Sequence, residues 1–359
     1  FRSGEDVHSV SANANFTSAT DLHANSPWLD NAGTSLAGSV TPVTVDIDGN
    51  VRNATTPDIG ADEFTGTIVK LGGGTYTIGG ASPTFATFAA ARDSLNRAGI
   101  GGAVTLNVRN GTYTEQIDLA PVAGSSGTNT VTIQGENGSA ALVTLQYPTS
   151  RTDSNYVIRL NGASHVRLRN MTLTSSGSNP SYRSVLVLNG SVSDLAVQSS
   201  VFNGLAYLGG SQNLSLIVGN SNIASNLTVA GNTFNGSSYG VYLNGYPFLP
   251  ATGTVIQGNS FNNGSGYGGV YLLYNTAPVI DSNTVTAAYE GIDLNSCNGA
   301  LRVLRNRINV VNYYYGIILT SCAGTSGSPG LVANNFISMG NVSSATGIYN
   351  NSSSYHNIY

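Results

Sequence analysis

The sequence predicts an all-β solenoid, a parallel β-helix, on the strength of three observations. The first is a short phrase that recurs between Leu227 and Phe336. Its copies are Val229-Ala-Gly-Asn232-Thr-Phe234, Ile256-Gln-Gly-Asn259-Ser-Phe261, Ile280-Asp-Ser-Asn283-Thr-Val285, Val303-Leu-Arg-Asn306-Arg-Ile308 and Val332-Ala-Asn-Asn335-Phe-Ile337. Each has an apolar residue three before the Asn and another two after it. The frame extends back to Val197…Ser200…Phe202 and Val166…Arg169…Met171 with the Asn replaced. The second is an interleaved phrase: Gly240-Val-Tyr-Leu, Gly269-Val-Tyr-Leu, Gly291-Ile-Asp-Leu, Gly316-Ile-Ile-Leu and Gly347-Ile-Tyr. The third is the period itself, which runs 31, 32, 27, 24, 23 and 29 residues from Arg169 to Asn335. Repeats of this size bury their apolar stripe by stacking on their neighbours. The segments are too short and too often broken by Gly and Asn for helical repeats. The uneven period disfavours a closed propeller and fits coils with turns of unequal length.

Asn suits a corner between two strands because it tolerates left-handed backbone, and its amide can hydrogen-bond along a stack of like amides. A ladder of stacked amides is therefore expected at Asn232, Asn259, Asn283, Asn306 and Asn335. The alternative is that Asn is merely common in such turns.

Composition agrees with a chain wetted by amides and hydroxyls. Charged residues are only 9% of the 359, well below the ~25% of an average globular protein. A solenoid can reach this length because each coil touches only its neighbours. Residues 1–65 carry nine acids against Arg2 and Arg52, a net −7, and the remainder carries +3, giving −4 for the whole. Neither part has a dense basic stripe, which excludes a typical nucleic-acid binder. No run approaches the ~18 apolar residues of a membrane span. Phe1 is not preceded by a signal peptide, so a processed start or a cut from something longer is expected.

Residues 1–65 do not fit the repeat. They are dense in turn signals, as at Pro27-Trp28-Leu29-Asp30, and contain Asp46-Ile-Asp48-Gly49-Asn-Val-Arg52 and Pro57-Asp-Ile-Gly-Ala-Asp-Glu63. These two motifs resemble the closing segment of secreted bacterial right-handed β-helix domains of the pectin-lyase-like superfamily. The resemblance implies that 1–65 is the tail of a preceding β-helix unit. Asp46, Asp48 and Asn50 alternate around a Gly as calcium ligands do, but the later bidentate Glu of an EF-hand is missing. A structural turn with Arg52 paired to a neighbouring acid is the alternative; no other cofactor is indicated.

Residues 66–82 read as a Gly-rich linker, with one strand near Thr75–Ile78. The one helical pattern follows. Ser82 or Thr84 can cap it, Phe85, Phe88, Ala91 and Leu95 share a face, and Gly99 ends it. A lone amphipathic helix ahead of a solenoid is expected to cap the open first coil. Short strands follow at 103–109, 112–119, 131–133, 143–145 and 156–160. This opening, through Val104 to Ile117, also resembles the start of such β-helix domains, which in multidomain surface proteins of gliding-type bacteria often follows a closing segment directly. Residues 83–359 are therefore read as a β-helix that stops mid-period, a window on a longer tandem array.

Cys297 lies six residues after Gly291 and Cys322 six after Gly316. They thus fall on adjacent coils ~4.7–4.9 Å apart, inside the ~4.4–6.8 Å window for a disulfide. An extracellular compartment would allow the bond; two stacked buried thiols are the alternative.

The resemblance includes polysaccharide lyases and hydrolases, so catalysis must be weighed. After residue 119 the acids are Glu136, Asp153, Asp194, Asp281, Glu290 and Asp293. The best catalytic candidates are Asp281, Glu290 and Asp293 with Arg302, Arg305 and Arg307 one coil on, although acids and arginines on successive coils usually form solvated ion pairs. The histidines His8, His23, His165 and His356 share no coil position. Tyrosine is abundant, 19 against 10 Phe. Tyr242 and Tyr271 share one outward slot, and Tyr267, Tyr289 and Tyr314 stand two before the phrase Gly. Such a file can hold sugar rings or a partner surface, or can simply stabilise successive coils. The expected function is a structural and adhesive segment of a secreted or cell-surface protein, contacting glycans, cell surfaces, neighbouring repeats or other copies of itself. A polysaccharide lyase or glycoside hydrolase is the alternative.

Overall fold

A computed structural model describes residues 14–359 except 15, 19, 25, 27, 28, 37, 40, 66–69, 221–223 and 341–343. His8, Pro27 and Trp28 therefore lie outside the described residues. The chain forms two compact units, Phe1–Lys70 and Leu71–Tyr359.

The larger unit is a parallel β-helix. Three long sheets run along it: sheet A of 11 strands from Gly74–Ile78 to His356–Ile358, sheet C of nine from Gly111–Thr114 to Phe336–Met339, and sheet B of nine from Ile117–Leu119 to Thr346–Asn351. Each coil visits A, C and B in that order, and every strand pair within the three sheets is parallel. Alternation dictates the inside: Val104–Val108 buries its first, third and fifth residues and leaves the others half-exposed. Stacking such strands in register makes columns. Ile133, Leu168, Val197, Val229, Ile256, Ile280, Val303 and Val332 succeed one another on sheet A, and all are buried. On sheet C, Phe202, Phe234 and Phe261 stack with centroids 5.0 and 4.7 Å apart. Burying each such side chain contributes about 1.5–3 kcal/mol, so the apolar phrase of the sequence is the driving force of the fold. The phrase glycines leave room for it. A Cβ on Gly240 would lie 2.3 Å from the Phe261 ring.

The corner between sheets A and C carries the expected amide ladder. Nδ2 of Asn232, Asn259, Asn283 and Asn306 donates to Oδ1 of the next Asn at 3.0, 3.0, 3.0 and 2.9 Å. Each backbone N–H donates to that same oxygen. The second Nδ2 hydrogen goes to a carbonyl of the preceding coil, as in Asn259 to Val229 at 2.9 Å. Left-handed backbone, however, falls one residue earlier than expected, at Ser199, Gly231, Gly258, Ser282, Arg305 and Asn334. The Asn itself stays out of that region because its side chain must point inward along the stack.

The helix, Phe88–Ala98, stands where the first coil would have its sheet C and B strands. It starts later than Ser82 or Thr84 would place it. Thr87 Oγ1 accepts from Ala90 N, and the Glu115 carboxylate accepts from Phe88 N at 3.1 Å and Ala89 N at 2.9 Å, so a distant carboxylate completes the cap. Phe88, Ala91, Leu95 and Ala98 are buried. Phe85 is not on the helix; it bridges to Ile78. Gly74–Ile78, within the stretch read as linker, pairs in parallel with Val104–Val108 as the first strand of sheet A.

In the smaller unit the two motifs interlock. Asp46 accepts from the N–H groups of Asp48 and Asn50, from Asn50 Nδ2 and from Glu63 N. Arg52 pairs with Glu63 at 3.4 Å and donates to the carbonyls of Gly60 and Asp58. The buried Asp58 caps Asn31 N and Phe64 N at 2.6 Å each.

Candidate functional site

The outward side of sheet B gathers the aromatic and acidic side chains that the core does not use. Register explains the gathering. Tyr242, Tyr271 and Asp293 are partners on successive strands, as are Tyr239, Gly268 and Glu290. Gly268 is the space that joins the two columns. A Cβ there would lie 2.5 Å from the Tyr239 ring, so the ring passes over the bare backbone. Its hydroxyl then donates to Glu290 Oε2 two coils on, at 2.9 Å. Tyr267 donates to the other oxygen at 3.3 Å.

Around this carboxylate the rings form a continuous cluster. Tyr242 and Tyr271 stack at 4.6 Å and 11°, and Tyr239 lies 5.4–5.6 Å from Tyr242, Tyr267 and Tyr271. Tyr289 follows at 5.3 Å from Tyr267, then Tyr314 at 5.5 Å from Tyr289. The five tyrosines expected as binding residues are thus on one face, as a packed group rather than a row of free rings. Tyr239 is buried, Tyr242, Tyr267, Tyr271 and Tyr289 are half-buried, and Tyr313 and Tyr314 are exposed.

Burial sets the electrostatics. It raises Glu290 above the usual carboxylate range, against the two phenol hydrogen bonds that lower it. Asp293 is pushed up to about 8, first by burial and then by the charge of Glu290. Its Oδ1 is closed from solvent and has no hydrogen-bond partner among the described residues. Tyr267 is pushed up to about 12, chiefly by burial, and Tyr239 and Tyr271 are raised for the same reason. At neutral pH the cluster therefore presents phenol hydroxyls, the protonated Asp293 carboxyl group and the Glu290 carboxyl group on which two of the phenols converge.

The other catalytic candidates lie elsewhere. Asp281 ends a sheet A strand and pairs with Arg305, Nε to Oδ1 at 3.0 Å. Arg302 is exposed on sheet A, and Arg307 is exposed on sheet C beside the Phe336 ring at 5.6 Å. Neither Glu290 nor Asp293 enters an ion pair among the described residues. Sequence spacing placed these groups at the right height along the solenoid but could not separate its faces. The Tyr239–Glu290 bond escaped sequence reasoning. Its signal was Gly268, standing in a slot that holds Tyr239 and Glu290 on the coils either side.

Cys297 and Cys322 occupy matching buried slots beyond sheet B, but as free thiols, so the expected disulfide is corrected. Cys322 Sγ accepts from Cys297 N at 3.3 Å, and the thiols point to the carbonyls of Leu272 and Leu294 at 3.5 and 3.3 Å. Each sulfur thus bonds along the stack to backbone, and burial holds the Cys297 thiol well above its ordinary value. In the smaller unit, Asp46 is occupied by its own loop, and Asp48 Oδ2 meets His23 Nε2 at 2.7 Å. His23, raised to about 9 by hydrogen bonds to Asp21 and Asp48, bridges the two acids as a cation. His23, Asp48 and Asp62 bring possible ligand atoms within 4.8 Å of one another.

Among the described residues no helix is long and apolar enough to cross a membrane. No protein-family model and no curated protein matches the chain. Among solved structures it is similar to the pectin methylesterase of Aspergillus niger, with 14% identity and TM-score 0.37 over 80% of this chain and 90% of that one. It is also similar to the GH136 lacto-N-biosidase of Eubacterium ramulus, with 10% identity and TM-score 0.48 over 77% and 67%. A rhamnogalacturonan lyase is similar at 12% identity and TM-score 0.39 over 77% and 84%. At these identities no reaction and no residue is carried across, and what describes this chain is its own architecture: a parallel β-helix with a tyrosine-walled acidic cluster on sheet B.

Proposed function

We propose that this chain is a rigid segment of a secreted or cell-surface repeat protein that holds glycan against the tyrosine face of sheet B. Residues 1–65 are, on this reading, the closing segment of a preceding unit. The observation that carries the reading is the cluster from Tyr239 to Tyr314, which encloses Glu290 and Asp293 among phenol rings and hydroxyls. Sugars are recognised by ring surfaces and by neutral donors and acceptors set among them. Tyr242 and Tyr271 turn one ring face to each other, so the hydroxyl edges of that pair and the exposed rings of Tyr313 and Tyr314 are the contact points. Binding to immobilised glycans is the test. Tyr314→Ala should weaken retention roughly tenfold, as loss of an anchoring aromatic does, and Tyr271→Phe should weaken it less. Equal retention by wild type and Tyr314→Ala would remove the tyrosine face from the account.

A second reading, polysaccharide cleavage, is favoured by one observation: Asp293 keeps its proton near neutral pH, as a general acid must. Release of reducing or unsaturated ends from polygalacturonate and related glycans, abolished in Asp293→Asn, would favour it over binding alone.

A further inference from the structure

A cleft of about 210 Å³ opens on sheet B on the coils that lead up to the tyrosine cluster, its last lining residue, Val218, in register with Tyr242. Val187 and Val218, register partners facing outward, line it together with Tyr156 and Arg159. Asn189 and Gln212 add amides. The arrangement is held from behind. Buried Asn155 accepts from Ser184 N at 2.9 Å and donates to the Asn213 carbonyl at 3.0 Å.

Among the described residues that line the cleft, Arg159 carries the one formal charge, and that charge is compensated. Its Nε donates to Asp118 Oδ1 at 3.0 Å, its Nη2 to Asp118 Oδ2, and its Nη1 to the Asp153 carbonyl at 3.4 Å. The guanidinium also lies 4.3 Å from the Tyr156 ring centroid. A flat, neutralised surface, two aliphatic side chains and side-chain amides match the C–H face and hydroxyl edge of a sugar ring. A carboxylate would find three of the five guanidinium N–H groups already used and the Asp118 carboxylate beside them.

We infer that this cleft is a subsite for an uncharged pyranose ring. It deepens the glycan-binding reading above and rests on it. Five strand steps of ~4.8 Å separate Arg159 from Asp293 in the register of sheet B, about 24 Å. The ligand that reaches both is therefore an oligosaccharide lying along the solenoid, with its uncharged end in the cleft.

Saturation-transfer NMR on the full chain tests this with uncharged methyl pyranosides against galacturonic acid, and then with a neutral oligosaccharide. Wild type should bind the methyl pyranosides and favour them several-fold over the acid. Val187→Trp fills the cleft from an outward position and should abolish that signal. Val187→Lys adds a free cation and should swing the preference to the acid; circular dichroism checks that both variants fold. Tyr314→Ala should weaken the oligosaccharide, which reaches the tyrosine face. Preference for the acid in wild type, or undiminished methyl pyranoside binding in Val187→Trp, overturns the subsite and leaves the tyrosine face standing. Oligosaccharide binding indifferent to Tyr314→Ala but lost in Val187→Trp does the reverse. Absence of saccharide binding overturns both.

Discussion

Two files of polar side chains run along this solenoid, the asparagines at the corner of sheets A and C and the tyrosines outside sheet B. Both follow from register, yet they end differently. Asn259 donates twice and accepts twice, each time at 2.9–3.0 Å, and no capacity is left over. A buried amide in that condition stabilises and does nothing else. The tyrosine file instead closes around Glu290 and Asp293, two half-buried carboxyl groups, and leaves Asp293 Oδ1 without a partner. Repetition alone does not separate scaffold from site. The balance of donors and acceptors does.

The largest effect should come from breaking the satisfied file. Asn283→Ala strands Asn259 N and Nδ2, the Ile256 carbonyl and part of the Asn306 oxygen. Each buried group left unpaired costs about 1–3 kcal/mol, so a total near 3 kcal/mol or more is expected in urea unfolding. The control is Asn262→Ala on the outside of sheet C. Its amide donates to Asn235 at 3.0 Å but is exposed, so water replaces the bond and under ~1 kcal/mol should be lost. Equal losses at the two sites would erase the distinction between the inner and outer ladders.

A smaller effect, of opposite character, is expected at the unsatisfied file. The folded chain holds the Asp293 proton up to about pH 8, whereas an unfolded chain releases it near 3.8. Between those values the native state binds more protons, so stability falls as pH rises. The contribution is complete below the ordinary carboxylate value and gone above about 8. Unfolding midpoints at pH 5 and pH 8 should therefore differ by about 1–3 kcal/mol more in wild type than in Asp293→Asn. An unchanged pH slope in Asp293→Asn would mean that the proton is held elsewhere.

The same contrast explains what could be read from the sequence. The interior was legible because apolar period and Asn spacing are one-dimensional: Val229, Ile256 and Ile280 must stack if the repeats do. The ladder was legible for that reason, while the left-handed residue was misplaced by one, since Ser282 and Arg305 give no hint of it where Gly231 and Gly258 do. The outer face was less legible because a residue's coil does not set its side. Arg302, Arg305 and Arg307 span two sheets and a corner within a few residues. The Cys297–Cys322 spacing likewise set the slot and not the direction of the sulfurs. Tyr239 and Glu290, separated by 51 residues, meet only because Gly268 has no side chain between them.

The smallest expected effect tests whether corner geometry or surface charge matters more outside the core. Arg305 sits at φ 54° and pairs with Asp281, with 60% of its side chain exposed. Surface pairs are worth about 0–1 kcal/mol, and Asp281, only 16% exposed, loses its cation, so Arg305→Ala should lose about 1 kcal/mol while keeping the unfavourable backbone. Arg305→Gly loses the same pair but relieves the left-handed strain, as Gly231 and Gly258 do at the equivalent corners. Its stability should match that of wild type, and exceed that of Arg305→Ala by up to about 1 kcal/mol. If Arg305→Gly proved the weaker of the two, the ion pair would be irrelevant to the ranking and the corner would not be strained. The glycines of the earlier coils would then need another reason than conformation.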